Sequence, residues 1–376
     1  MDDIRKTLFQ SLHKLVVKVG TKILVGDDNK PSFEQIDHLA GQLSLLHDGG
    51  YAVVLVTSGA VGVGMGTLGY TSRPKELPEK QACAAIGQIR LMHLYSEAFA
   101  KRGKTVAQIL LSADDFRDRT RFNNIRKTVG TLLAKGVIPI VNENDTITTE
   151  EIKVGDNDKL SADVAHFLEA DLLIILSDED GLFTKNPKTN PDAKAIAVVP
   201  RITAEILRLA EATPGSKVSI GGMKAKLMAI RQATEAGTPA VLTRGHSAKL
   251  LELVQGARQG TLFLPNPDKI GRNKRWLAFV SKARGQIFLD EGGVKAMQTG
   301  KSSLLPAGIK DSKGTFKPGD FVEICNLKGD VIGRGRSAYS SSEVQLIRGQ
   351  KSHRILEILN RPGPDEVIHR DQLVIF

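Results

Sequence analysis

The chain has 376 residues, long for a single domain, so two or three units are expected at about 150 residues each. Hydrophobic residues make up 41% and charged residues 25%, enough for full cores in a soluble protein, and no apolar run approaches the roughly 20 residues of a membrane span. The net charge of +10 favours phosphorylated or polyanionic ligands, while two distant cysteines, Cys83 and Cys325, and an N-terminus without an apolar signal core argue against a disulfide-built secreted scaffold and for the cytoplasm.

In chain order, Lys14–Val19 reads as a strand closed by Gly20. Ser32 is placed to cap a helix, with Gln35 as its capping-box partner; that helix runs to Asp48 and stops at Gly49 and Gly50. Residues 52–57 form a second buried strand. The glycines at 62, 64, 66 and 69 match no dinucleotide fingerprint and read as a flexible segment near a site. Leu77–Ala100 is helical, Val106–Leu111 a strand, 121–135 a helix and 137–141 a strand. Residues 161–170 are helical, 172–176 strongly apolar and β-like, 223–236 helical, and 240–243 a strand. Continuous apolar strands alternating with helices predict a mainly parallel sheet covered on both faces, a three-layer αβα sandwich.

The pattern changes after residue 263. Residues 1–264 are expected to form one domain and 265–276, opening on Pro265, Asn266 and Pro267, a linker. Residues 277–376 are expected to form a small, mostly β domain, with strands at 286–289, 321–326, Val331–Arg336 and 373–376.

In a parallel sheet, ligands sit beyond the carboxyl ends of the strands, and chemistry is sought there. Lys18-Val19-Gly20-Thr21 puts an ammonium and an open backbone beside a strand end, suited to an anion; a plain strand edge with a turn accounts for the tetrapeptide at least as well, and it is no Walker A loop. Thr57-Ser58-Gly59-Ala60 offers a hydroxyl and N–H groups at a helix start, or simple N-capping by Ser58. Asn142-Glu143-Asn144-Asp145 and Gly155-Asp156-Asn157-Asp158 combine amides and carboxylates, as an amino-acid ligand requires, although turns and a helix cap use the same residues. Both clusters flank residues 151–154, which read as a hairpin arm over a site. Ser177-Asp178 follows the apolar strand and suits a ribose or an adenine amino group, or a helix cap. Gly221-Gly222-Met223-Lys224-Ala225-Lys226 joins a glycine loop to a helix, with Lys226 in its first turn. Anion binding explains an ammonium at that end of the dipole better than chance does.

Together these segments resemble the amino-acid kinase superfamily, and within it the glutamate 5-kinase family, over nearly the whole chain. The most specific stretches are residues 141–145 and 152–158; Val56-Thr57-Ser58-Gly59-Ala60 and Lys18-Val19-Gly20-Thr21 also match. So does Gly300-Lys301-Ser302-Ser303-Leu304-Leu305-Pro306, in a tail where the family carries a PUA domain. The resemblance implies the amino-acid kinase fold with a C-terminal PUA-like domain. It implies ATP-dependent phosphorylation of the glutamate side-chain carboxylate, the first step of proline synthesis, with ATP and Mg²⁺ as cofactors. It implies catalytic roles for Lys18, Asp158 and Lys226, and glutamate binding by Ser58, Gly59, Ala60, Asn142, Asp145, Asp156 and Asn157. Nucleotide binding falls to Lys18, Gly20, Ser177, Asp178, Ile220, Gly221, Gly222, Met223, Lys224, Ala225 and Lys226. Mg²⁺ is carried by the ATP phosphates, with no direct protein ligand assigned. Proline as feedback inhibitor and a homo-oligomer, dimer or tetramer, are further implications; RNA binding by the PUA-like domain is not favoured, and no membrane is involved.

The nucleotide loop departs from the family pattern. Ile220 stands where the family has Thr, Lys224 where it has a small residue, and Ala225 where it has a second Thr, so two hydroxyls are lost and one charge gained. Two rivals are an acid or nucleotide kinase acting on aspartate or UMP, and an RNA-binding protein with a vestigial kinase fold. The signature at 142–158 argues against the first, and retention of Lys18, Asp158 and Lys226 against the second.

Overall fold

The computed structural model describes residues 2–26, 29–147, 156–187, 189–210, 222–266, 283–298 and 302–375. The chain folds as two compact units, Met1–Pro267 and Asp268–Phe376. Of the expected linker at 265–276, only Pro265 and Asn266 fall among the described residues.

The first unit is built on an eight-stranded sheet. Its strands are β1 (Lys14–Val19), β2 (Ala52–Val56), β3 (Val106–Leu111), β4 (Ile138–Glu143), β5 (Leu172–Ser177), β6 (Val198–Val199), β7 (Ala240–Arg244) and β8 (Thr261–Phe263). They lie in the order β3-β4-β2-β1-β5-β7-β8-β6. All neighbours pair parallel except β7 and β8. The chain winds outward from β1 through β2 and then returns to β1's other side with β5, so β1 lies at the point where the strand order reverses. Register sets Lys18 opposite Val56 and Ile175.

Both faces of the sheet are covered, as the apolar strands require. Leu15, Val17, Val19, Val53, Leu55, Ile138 and Ile140 share one core with α3 (Phe33–Asp48) and α5 (Leu77–Ala100). Alternation turns Lys18 to the opposite face, where α8 (Asp156–Phe167) packs on β1, β4 and β5, and α10 (Gly222–Glu235) packs on α8.

Several expectations need correction. The glycine-rich segment is not flexible: α4 (Ala60–Leu68) is a helix packed on α5. A Cβ on Gly64 would lie 1.8 Å from the Cys83 carbonyl oxygen, and one on Gly87 1.8 Å from that of Ala60, so glycine serves close backbone approach there. Half of the capping box at Ser32 forms. Its hydroxyl accepts from the Gln35 N–H at 3.4 Å, but Gln35 Oε1 has no hydrogen-bond partner. Helix α8 begins at Asp156 and not at 161, so Asp156, Asn157 and Asp158 stand in its first turn, where the dipole favours acids. Lys226 is the fifth residue of α10 and opens its second turn.

The second unit holds a five-stranded sheet in the order β10-β9-β11-β12-β13: β9 (Gly285–Leu289), β10 (Ile309–Gly314), β11 (Phe321–Cys325), β12 (Val331–Arg336) and β13 (Leu373–Ile375). Ile287, Leu289, Val322, Ile324, Tyr339 and Ile368 lie in its core. Edge strand β10 is the one the sequence hides, because its residues are mostly polar and part-exposed. Cys83 and Cys325 are buried free thiols. Among the described residues no helix is long and apolar enough to cross a membrane.

Candidate active site

Gly20, Thr57, Asn142 and Ser177 all stand at the same edge of the sheet, at or just past the carboxyl ends of β1, β2, β4 and β5. The centre of the site is an ion cluster beside β1. Lys18, 4% exposed, donates from Nζ to Asp158 Oδ1, and Lys226 Nζ lies 3.8 Å from Asp158 Oδ2. Lys226 also donates to the Gly222 carbonyl at 3.2 Å. One buried carboxylate thus gathers two ammonium groups from β1 and α10, although 140 residues separate Asp158 from Lys18.

Burial pushes the Lys18 ammonium below the ordinary lysine value; Asp158 pulls it up again, and the like charge of Lys226 pushes it down. Two ammoniums against one carboxylate leave a surplus positive charge, which suits phosphate oxygens. This donor set does not suit a divalent cation, and among the described residues no group of three or more His, Cys, Asp or Glu is arranged to hold a metal ion. Asp158 is fixed from behind, since the Ser161 hydroxyl donates to its backbone carbonyl at 2.6 Å.

The second part of the site lies between β2, β4 and α8. Ser58 is buried, and Gly59 has φ +105°, a left-handed conformation that favours glycine. Gly59, not Ser58, is the N-cap of α4, and it makes no side-chain cap bond. Asn142 is 1% exposed; its Oδ1 accepts from the Glu143 N–H at 3.0 Å. Asn157 Oδ1 accepts from the same N–H at 3.3 Å, which joins the end of β4 to the start of α8. Asp145 is part-buried just beyond β4.

On the other side, Ser177 Oγ donates to Asp178 Oδ1 at 3.2 Å, and Lys22 Nζ lies 3.5 Å from Asp178 Oδ2. Among the described residues no helix starts directly after Asp178, so capping does not account for this pair. Gly222, Met223 and Ala225 are part-buried at the start of α10, and Lys224 is exposed. Ile220 and Gly221 lie outside the described residues, as do residues 151–155, the side chain of Asp156, Gly300 and Lys301.

Three participants escaped the sequence reading. Thr57 Oγ1 and the buried Tyr95 hydroxyl of α5 share a hydrogen bond at 2.8 Å, directly before Ser58. Asn142 Nδ2 donates to Gln88 Oε1 at 2.8 Å, and Gln88 Nε2 donates to Gln108 Oε1 of β3 at 2.9 Å. Gln88 lies on a mostly apolar buried stripe of α5, but buried Lys80 shares that stripe, so the pattern alone did not single it out.

The sequence profile of the Amino acid kinase family matches residues 13–244, and that of the PUA domain matches residues 285–359. Nearly the whole chain is similar to curated proteins named glutamate 5-kinase. That of Syntrophotalea carbinolica is 44% identical over 373 residues, 99% of this chain and 100% of that protein. That of Caldanaerobacter subterraneus subsp. tengcongensis is 45% identical over 364 residues, 96% of this chain and 98% of that one. That of Geobacter sulfurreducens is 44% identical over 374 residues, 99% of this chain and 100% of that one.

Proposed function

The chain belongs to the amino acid kinase family, and we propose the following chemistry for it on that premise. It is an ATP-dependent glutamate 5-kinase. It transfers the γ-phosphoryl group of ATP to the side-chain carboxylate of L-glutamate, giving L-glutamyl 5-phosphate and ADP, the first step of proline synthesis. The observation that carries this reading is full-length identity of about 44% to glutamate 5-kinases in a chain that keeps two lysines on one buried carboxylate.

The acceptor is already a nucleophile. A glutamate carboxylate has a reference pKa near 4.3, so it is ionised at neutral pH and no general base is needed. One of its oxygens bonds to the γ-phosphorus as the bond to the bridging oxygen of ADP breaks, and no proton moves. The protein's tasks are to align two anions that repel each other and to stabilise charge on the phosphoryl oxygens. Lys18 and Lys226 take the second task, and Asp158 holds them at a fixed separation. Mg²⁺ on the ATP phosphates supplies further charge neutralisation.

Ser58, Gly59, Ala60, Asn142, Asp145, Asp156 and Asn157 hold glutamate, with amide and N–H donors for its carboxylates and carboxylate acceptors for its ammonium. Gly20, Ser177, Asp178 and the segment from Ile220 to Lys226 border ATP. The support is the place of Gly20, Asn142 and Ser177 at the carboxyl edge of the sheet and of Lys226 at the ion cluster. Action in the cytoplasm, assembly as a dimer or tetramer and feedback inhibition by proline extend the reading and rest on the family resemblance. Among the described arginines of the second unit, Arg334, Arg348 and Arg354 are each paired with an acid, Glu323, Asp311 and Glu357, while Arg336 donates to the Gly319 carbonyl.

Incubating the protein with ATP, Mg²⁺, hydroxylamine and a panel of acceptors tests the reading. A hydroxamate is expected with L-glutamate. Its absence, with turnover on aspartate or UMP instead, would sink the assignment.

A further inference from the structure

Helix α5 touches the glutamate half of the site at three places. Its Tyr95 hydroxyl meets Thr57, its Gly87 lies against the Ala60 carbonyl, and its Gln88 meets Asn142. The last contact has a property the others lack. A carboxamide has a donor end and an acceptor end, and only its partners decide which faces where. Here one backbone group makes the decision. The Glu143 N–H can only donate, so the oxygen of Asn142 must face it. The Asn142 NH₂ group is then turned toward Gln88, whose oxygen must accept, and the Gln88 NH₂ group in turn donates to Gln108.

From this directed chain of amides we infer that Gln88 is a positioning residue for glutamate binding. It holds the Asn142 carboxamide in one of its two orientations, so that one hydrogen of Nδ2 is used on Gln88 and the other is offered to a carboxylate oxygen of the substrate. Asn142, 1% exposed, cannot be held by solvent instead, so its NH₂ group has no water as a ready substitute for the Gln88 oxygen. Without the Gln88 oxygen, Asn142 has a single fixed contact at Oδ1, and its NH₂ group loses the partner that sets its plane. The far end of the chain is different. Gln108 is exposed on edge strand β3, so water replaces it when it is removed.

The inference rests on the reading of Asn142 as a glutamate ligand, and the test separates the two. Steady-state kinetics are measured for the full chain and for Gln88→Leu, Gln88→Glu, Asn142→Ala and the Gln88→Leu/Asn142→Ala double variant. Gln88→Leu is expected to raise the KM for glutamate about tenfold, the effect of one lost buried hydrogen bond, with kcat and the KM for ATP within about twofold. Gln88→Glu keeps the acceptor toward Asn142 and is expected to return the KM to within about threefold of the parent. In the Asn142→Ala background, Gln88→Leu should add nothing, because it acts only through Asn142. Unchanged KM for glutamate in Gln88→Leu, an equal rise in the KM for ATP, or full additivity with Asn142→Ala overturns the positioning role. An Asn142→Ala enzyme with an unchanged KM overturns the placement of Asn142, and the proposal falls with it.

Discussion

Replacing Gly64 with Ala puts a methyl group where α4 and α5 meet. The new Cβ would lie 1.8 Å from the Cys83 carbonyl oxygen, 2.5 Å from its carbon and 2.8 Å from Cys83 Cα. All three are backbone atoms of a helix, so no side chain can rotate away, and the helices must part by more than about 1 Å or shift along each other. Overpacking of this kind costs about 1–3 kcal/mol, and a contact made wholly of backbone belongs at the upper end. For a unit of this size, about 3 kcal/mol lowers Tm by roughly 6–12 °C. Gly130→Ala is the control. That glycine is in α7 (Arg119–Ala134) with nothing within 4 Å of its Cβ position, so alanine should stabilise the helix by about 0.5–1 kcal/mol. The assay is thermal unfolding followed by circular dichroism, with the KM for glutamate measured alongside, since α4 starts at Gly59 and Ala60. A Gly64→Ala protein with Tm equal to or above the parent's would refute the packing argument and restore the view of 62–69 as a loose segment.

Lys226→Ala should lower kcat and kcat/KM together by about a hundredfold, as expected for a contact made in the transition state, whereas exposed Lys224→Ala should stay within about threefold. The reverse order would show the loop to be aligned wrongly. In pH profiles, Lys18 must be protonated to serve, so activity falls as pH rises through its pKa. Because burial lowers that pKa below the ordinary 10.5, the alkaline limb of kcat/KM should lie below this value. Bound phosphates raise it, so the limb of kcat should lie at higher pH; a limb of kcat at lower pH than that of kcat/KM would contradict the placement of Lys18. A chain ending at Leu264 should retain turnover, since every residue assigned to the site precedes it. A folded but inactive truncated protein would show that the tail completes the site.

The fold was legible where local signals mark both ends of an element. Lys14–Val19 and Val106–Leu111 are bounded by turn residues, and α5 has long helical periodicity, so all three kept their expected ends. Legibility failed where one residue type has two physical uses. Glycine at 62–69 signals freedom in isolation, and only the partner helix at Cys83 and Gly87 shows that it serves close contact. Asp156 and Asp158 read as caps before a helix, yet acids are equally at home in its first turn. Lys18 stood out as a charge beside an apolar strand end and Lys226 as an ammonium near a helix start, whereas the role of Asp158 came from the family resemblance. Gln88 could not, because its role depends on Asn142 and Gln108, which the sheet brings to it from β4 and β3.

The central claim is that Asp158 organises Lys18 and Lys226 for phosphoryl transfer, and Asp158→Asn tests it most directly. The variant keeps the shape of the side chain and removes the charge that both ammoniums face. Steady-state kinetics at saturating ATP, with folding checked by circular dichroism, should show kcat reduced by about a hundredfold or more and the KM for glutamate little changed. Asp145→Ala, measured beside it, should chiefly raise that KM. A folded Asp158→Asn enzyme that keeps kcat within about threefold of the parent, or that loses only affinity for glutamate, would contradict the account.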